Sequence, residues 1–147
     1  MEFINEITVS YKPILSAINN EGITFSKKAY HQALTFYDKE TINMQEQFVV
    51  LYLSQSNKLL GGYTHSLGGL TSTTVDVRLI LATALKTLAT SLILVHNHPS
   101  GRLEASEMDK QITKRIKEAG NIMDIKVLDH LIISPQNYFS FADEGLL

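Results

Sequence analysis

Apolar residues fall in short runs along this chain, and the spacing within each run predicts its element. Phe48-Val49-Val50-Leu51-Tyr52-Leu53 and Leu92-Ile93-Leu94-Val95 are unbroken apolar runs. Both are short and rich in β-branched residues, so they predict strands buried on both faces. Between them, Ser54-Gln55-Ser56-Asn57 predicts a turn. Residues 58–67 then return as an antiparallel partner, with Gly61-Gly62 marking a bulge or close packing. Residues 124–134 predict a last long strand, interrupted by Asp129-His130. Spacings of three and four mark the helices. Ala29, Ala33 and Phe36-Tyr37 predict one over 26–39, with Ser26 as its cap. Val77, Leu81, Ala84-Leu85 and Leu88 predict a second, running to Ala89. A loop from Gly68-Gly69 leads into it, and Thr73 or Thr74 can cap it. Ile112, Ile116 and Ala119 predict a third over 106–119, with Gly120 as its stop. Lys110, Lys114, Arg115 and Lys117 form its solvated side. Near the start, Ile7-Thr8-Val9-Ser10-Tyr11 alternates and is stopped by Pro13, as in an edge strand. At the other end, Tyr138, Phe139 and Phe141 predict a tail packed on the body.

Length and composition narrow the field. The 147 residues fit one domain, and 44% hydrophobic content supports an ordinary core. Net charge is −2 with no basic stripe, so nothing in the sequence supports nucleic acid as a partner. There is no cysteine, which excludes disulfides, thiolate zinc ligands and a cysteine nucleophile. No apolar run nears the ~20 residues of a membrane helix. The first residues lack the pattern of a signal peptide, so a cytoplasmic location is the expectation.

The chemistry concentrates where the second apolar run ends. His96 and His98 follow Val95 two residues apart, and positions i and i+2 of an extended chain point to one side. Pro99-Ser100-Gly101 then turns the chain. Asp109 follows early in the third helix. Two imidazoles and a carboxylate form a three-ligand set that leaves a fourth position for water on a tetrahedral zinc. The plainer reading is a polar loop, and Ser106 with Asp109 also reads as a variant capping box. Both readings can hold for Asp109, because the first helical turn faces the histidines.

His96-x-His98-Pro99, followed by Ser106 and Asp109, resembles the JAMM metal motif of the JAB/MPN domain, and His-Asn-His-Pro-Ser-Gly resembles its RadC-type branch. Further similar segments are 46–53, 127–133, Tyr138-Phe139-Ser140-Phe141 and Glu144-Gly145-Leu146-Leu147. One departure is Ala105, where RadC-type chains usually carry proline. The resemblance implies a single JAB/MPN-like (cytidine-deaminase-like) α/β domain over 26–147, with 1–25 as an N-terminal extension. Its mixed, curved sheet would be flanked by helices. Two dozen residues are too few for the helical DNA-binding-like region that often precedes the domain. The resemblance also implies one zinc per chain on His96, His98 and Asp109. Glu46 would be the proton shuttle, and Ser106 the donor to a developing oxyanion. The implied activity is a metallopeptidase or isopeptidase acting on a peptide or protein. A carboxylate alone at a strand start would carry no such assignment.

Three other functions compete. A zinc nucleobase deaminase needs Pro-Cys-x-x-Cys, which a chain without cysteine cannot supply. A non-catalytic JAB-fold interaction module typically loses metal ligands, and here the set is complete. A DNA-repair or recombination factor lacks support from charge or motif. Asp129-His130 reads as a buried hydrogen-bonded pair, and His65 has no identifiable partner.

Overall fold

The computed structural model describes residues 21–68 and 74–147, together with Thr8. The edge strand expected at 7–11, Gly69 and Thr73 lie outside or largely outside these residues. Among the described residues the order is α1 (Ser26–Leu34), β1 (Gln47–Leu53), β2 (Leu59–Leu67), α2 (Val77–Thr87), β3 (Ser91–Asn97), α3 (Glu107–Ile122), β4 (Lys126–Ile133) and β5 (Tyr138–Ser140). The five strands form one sheet in the order β2-β1-β3-β4-β5. β1 runs antiparallel to β2 and β3, β3 parallel to β4, and β4 antiparallel to β5. The sheet is therefore mixed, with helices on both faces. No helix among the described residues is long and apolar enough to cross a membrane.

Alternation along the central strands separates two cores. Val49, Leu51, Leu53, Ile93 and Val95 pack with α1. Phe48, Val50, Tyr52, Leu92 and Leu94 pack with α2 and α3. Double-sided burial explains why β1 and β3 read as unbroken apolar runs.

Several boundaries differ from expectation. Ser26 opens α1 but does not cap it: the N-cap is Phe25, and the Ser26 hydroxyl donates to Asp143 at 2.5 Å. α1 stops at Leu34, where backbone N–H groups switch to i→i+3 acceptors. Thr74 does not cap α2; Asp76 does, accepting from the Arg78 N–H at 2.9 Å. Gly62 is a site of close packing, for a Cβ there would strike the ring of Phe36.

His65 finds a partner after all, the Tyr52 hydroxyl at 2.5 Å. Its Nδ1 is buried with no partner among the described residues. Burial pulls this imidazole down from 6.5 to about 4. The folded chain therefore prefers the neutral form. The associated stability is full above the unfolded value and is lost as pH falls from about 6.5 towards 4. The drop in Tm on going from about pH 7 to about pH 4 should be smaller in His65→Phe than in wild type. Equal drops would show that His65 contributes nothing to acid sensitivity.

Gly120 is not the end of α3, which continues to Ile122. It lies where the chain crosses back, its carbonyl accepting from the Ile125 N–H at 2.8 Å. A Cβ there would lie 2.5 Å from the Ile125 carbonyl oxygen. Gly→Ala inside a helix ordinarily adds ~1 kcal/mol. Gly120→Ala should instead lower unfolding stability by ~1–3 kcal/mol, because backbone must move. Urea denaturation reads the sign directly, and a gain would contradict the crossing geometry.

Candidate metal centre

β3 delivers the first candidate ligand. It lies between β1 and β4 and is buried along its whole length. Leu92, Leu94 and His96 share the face towards α2 and α3 by strand alternation. His96 is buried at the end of that row. His98 follows just past the strand, and its Nε2 lies 2.8 Å from Nε2 of His96. The expected convergence of the His-x-His pair is thus realised.

Asp109 arrives from the first turn of α3, and its two oxygens divide the work. Oδ2 accepts from the Ser106 N–H at 2.7 Å and from the Ser106 hydroxyl at 2.6 Å. The Ser106 oxygen accepts in turn from the Asp109 N–H at 3.1 Å, closing a capping box. Oδ1 faces His96 Nε2 at 3.0 Å, and Oδ2 lies 3.4 Å from His98 Nε2. One carboxylate thus closes the capping box and also faces both histidines. Burial opposes its charge, but the His96 and His98 imidazoles beside it and the hydrogen bond from Ser106 outweigh that and hold it well below the usual carboxylate range. The Asp109 hydrogen bond raises His98, against the opposing effect of burial.

The donor atoms of His96, His98 and Asp109 all lie within 4.8 Å of one another. A tetrahedral ion with bonds of ~2.0–2.1 Å holds neighbouring donors roughly 3.3–3.4 Å apart. The 2.8 Å between the two Nε2 atoms and the 3.0 Å from His96 Nε2 to Asp109 Oδ1 sit close to that scale. Nitrogen and carboxylate donors suit zinc. The residues fit a metal.

Glu46 reaches the same place from β1. Phe48 pairs with His96 in the antiparallel register. Two residues further out, Glu46 therefore lies across from His98. Its backbone carbonyl is fixed by the Gly68 N–H at 2.8 Å. Burial pushes its carboxyl up; His96 and His98 pull it down, and Asp109 pushes it up again, for a net rise. Glu46, Phe48, His96, His98, Ser106 and Asp109 line one open cavity of about 470 Å³. Arg115 also lines it, so this residue belongs to the cavity wall and not simply to a solvated helix side.

The sequence patterns did not connect Asn97, Thr113 or His130 to this site, and the structure places all three beside its residues. Asn97 points to the opposite face and is fully buried. Its amide donates to the Ile42 carbonyl at 2.6 Å and the Gln45 carbonyl at 2.8 Å, and its oxygen accepts from the Gln47 N–H at 2.8 Å. It therefore clamps the segment that carries Glu46. His130 touches His96, with Nε2 2.8 Å from His96 Nδ1. Its neighbour Asp129 points away and accepts from Ser140 at 2.6 Å and Ala142 at 3.0 Å. Both residues are buried and hydrogen-bonded as expected, but they serve different networks.

The family model for the RadC-like JAB domain matches residues 24–146. A UPF0758 protein of Flavobacterium johnsoniae is 55% identical over 101 residues, covering 69% of this chain and 44% of the relative. One from Porphyromonas gingivalis is 45% identical over 128 residues, covering 86% and 55%. A third, from Chlorobaculum tepidum, is 43% identical over 103 residues, covering 70% and 46%. The chain spans about half the length of these curated relatives.

Ser106→Ala removes the capping oxygen and the hydroxyl donor to Asp109 together. It should lower unfolding stability by ~0.5–2 kcal/mol, and Ser106→Thr should recover most of the loss. An alanine variant as stable as wild type in urea would show that the box contributes nothing.

Proposed function

The chain belongs to the RadC-like JAB domain family, and from that premise we propose that it is a zinc-dependent hydrolase of the JAMM type that cleaves peptide or isopeptide bonds. The observation that carries this reading is the convergence of His96, His98 and Asp109 beside the Glu46 carboxylate in one cavity. Bound zinc would supply Lewis acidity, polarising a carbonyl and bringing the pKa of water towards ~7.

The remaining work falls to the chain's own side chains. Glu46 takes a proton from the attacking water and returns it to the departing amine. Its upward shift favours that exchange, because a carboxylate that holds a proton more readily is a better base near neutrality. Among the described residues no hydrogen bond occupies the Glu46 carboxylate, so it is available to water. Ser106 donates to the oxygen that gains charge, for which its hydroxyl turns away from Asp109 Oδ2. Phe48 and Val75 give the cavity apolar surface that limits competing water. A peptide or isopeptide amide gives each of these groups a task.

Zinc content and turnover should separate in the variants. His96→Ala, His98→Ala and Asp109→Ala should each lose the one bound zinc per chain, measured by elemental analysis. Glu46→Gln keeps its size but cannot accept a proton at neutral pH. It should retain zinc and fold while hydrolysis of a peptide substrate falls ~10²–10⁴-fold. Wild-type turnover in Glu46→Gln would remove it as the shuttle, and loss of its zinc would make it a ligand.

A further inference from the structure

We propose that Thr113 and His130 are positioning residues that fix the tautomer of His96, placing its only mobile proton on Nδ1 and leaving Nε2 bare for a metal. The proposal rests on the zinc reading above and extends it to two residues outside the ligand set.

The direction of the chain follows from counting protons. The Thr113 hydroxyl lies 2.5 Å from the Asp109 backbone carbonyl. A carbonyl oxygen only accepts, so the single hydroxyl proton goes there. The Thr113 oxygen also lies 2.6 Å from His130 Nδ1. With its proton already committed, the hydroxyl accepts, and His130 carries its proton on Nδ1. A neutral imidazole has one N–H, so His130 Nε2 is an acceptor. It lies 2.8 Å from His96 Nδ1, which must therefore donate. His96 Nε2 is left with its lone pair, and this is the atom 3.0 Å from Asp109 Oδ1 and 2.8 Å from His98 Nε2.

The surroundings keep His130 neutral. It is fully buried, stacked on Phe141 at 4.7 Å and edge-on to Phe48 at 5.7 Å. Among the described residues no carboxylate is hydrogen-bonded or ion-paired to its ring, and a buried unpaired charge is costly. A cationic His130 would donate to His96 Nδ1 and force the proton of His96 onto Nε2, which blocks ligation.

The two histidines solve the same problem differently. His98 lies beyond the strand, and its Nδ1 reaches the Arg102 carbonyl at 3.0 Å. His96 lies within a central strand whose backbone carbonyls serve the sheet. Its orienting acceptor therefore comes from a side chain on the neighbouring strand. Asp109 stands at both ends of the network, its carbonyl at the start and its carboxylate at the site.

Zinc titrated into the metal-free full chain, in competition with a chromophoric chelator, tests the proposal. His130→Phe keeps a stacked ring but removes the acceptor. Thr113→Val keeps the shape but removes the hydroxyl. Each should weaken zinc binding ~10–100-fold, with thermal melts verifying a folded protein. His130→Gln keeps a carbonyl acceptor and Thr113→Ser keeps the hydroxyl, so each should lie closer to wild type. A folded His130→Phe protein with wild-type zinc affinity overturns the proposal. If wild type itself holds no more zinc than His96→Ala, the metal reading falls and this proposal falls with it. Long-range proton–nitrogen NMR of the zinc-loaded wild type gives a readout that does not depend on the variants folding. The expected His130 proton is on Nδ1, and a proton on Nε2 reverses the chain and refutes it.

Discussion

Two imidazole nitrogens and a carboxylate oxygen meet within a few ångströms at the end of a buried strand, and that crowding of lone pairs sets up an electrostatic demand for positive charge. The Nε2 atoms of His96 and His98 are 2.8 Å apart, too close for both to remain bare without something between them. A proton can serve: Asp109 is held ionised beside both rings, and its hydrogen bond raises His98. A divalent ion answers the same electrostatic demand more fully, because it satisfies all three donors together. The preference for positive charge is built into the geometry before any metal arrives.

The sheet makes that crowding possible. Separated donors on flexible loops would relax apart, but His96 is locked between β1 and β4 by ladder hydrogen bonds. The antiparallel register then carries Glu46 to the same end, opposite His98. Asn97 ties the Glu46 segment to β3 from the other face. Alternate residues of one short stretch thus have opposite tasks. Histidines face the cavity, and the asparagine between them fastens the neighbouring chain.

Local chemistry was legible in the sequence wherever partners are near in the chain. The His-x-His pair converges because strand geometry alone brings i and i+2 together. The Ser106–Asp109 box forms because its partners are three residues apart. Long-range partners were not legible. His130 meets His96 across 34 residues and Thr113 across 17, and Asn97 meets Gln47 across 50. Those contacts depend on strand order and register, which no periodicity encodes. Glu46 was singled out by family resemblance alone, and the register brings it across from His98. Gly120 misled for a related reason. It resembles a helix stop, but its absent side chain makes room for Ile125. Asp76 displaced the threonines as a cap because any short polar side chain can accept there, and pattern alone does not choose among neighbours.

Asp109 couples folding of α3 to the chemistry of the site. One oxygen closes the capping box, and the other faces His96. Its backbone carbonyl also accepts from Thr113, which contacts the histidine behind His96. Fraying of the first helical turn would therefore release a cap, move a donor and disturb the tautomer of a second donor at once. Conversely, an ion held by Asp109 would oppose that fraying, because binding to the native state stabilises whatever arrangement binds. A helix terminus is ordinarily among the least stable parts of a fold. A ligand at that terminus would make local order at the start of α3 and occupation of the site one equilibrium, which a ligand in the middle of β3 could not do.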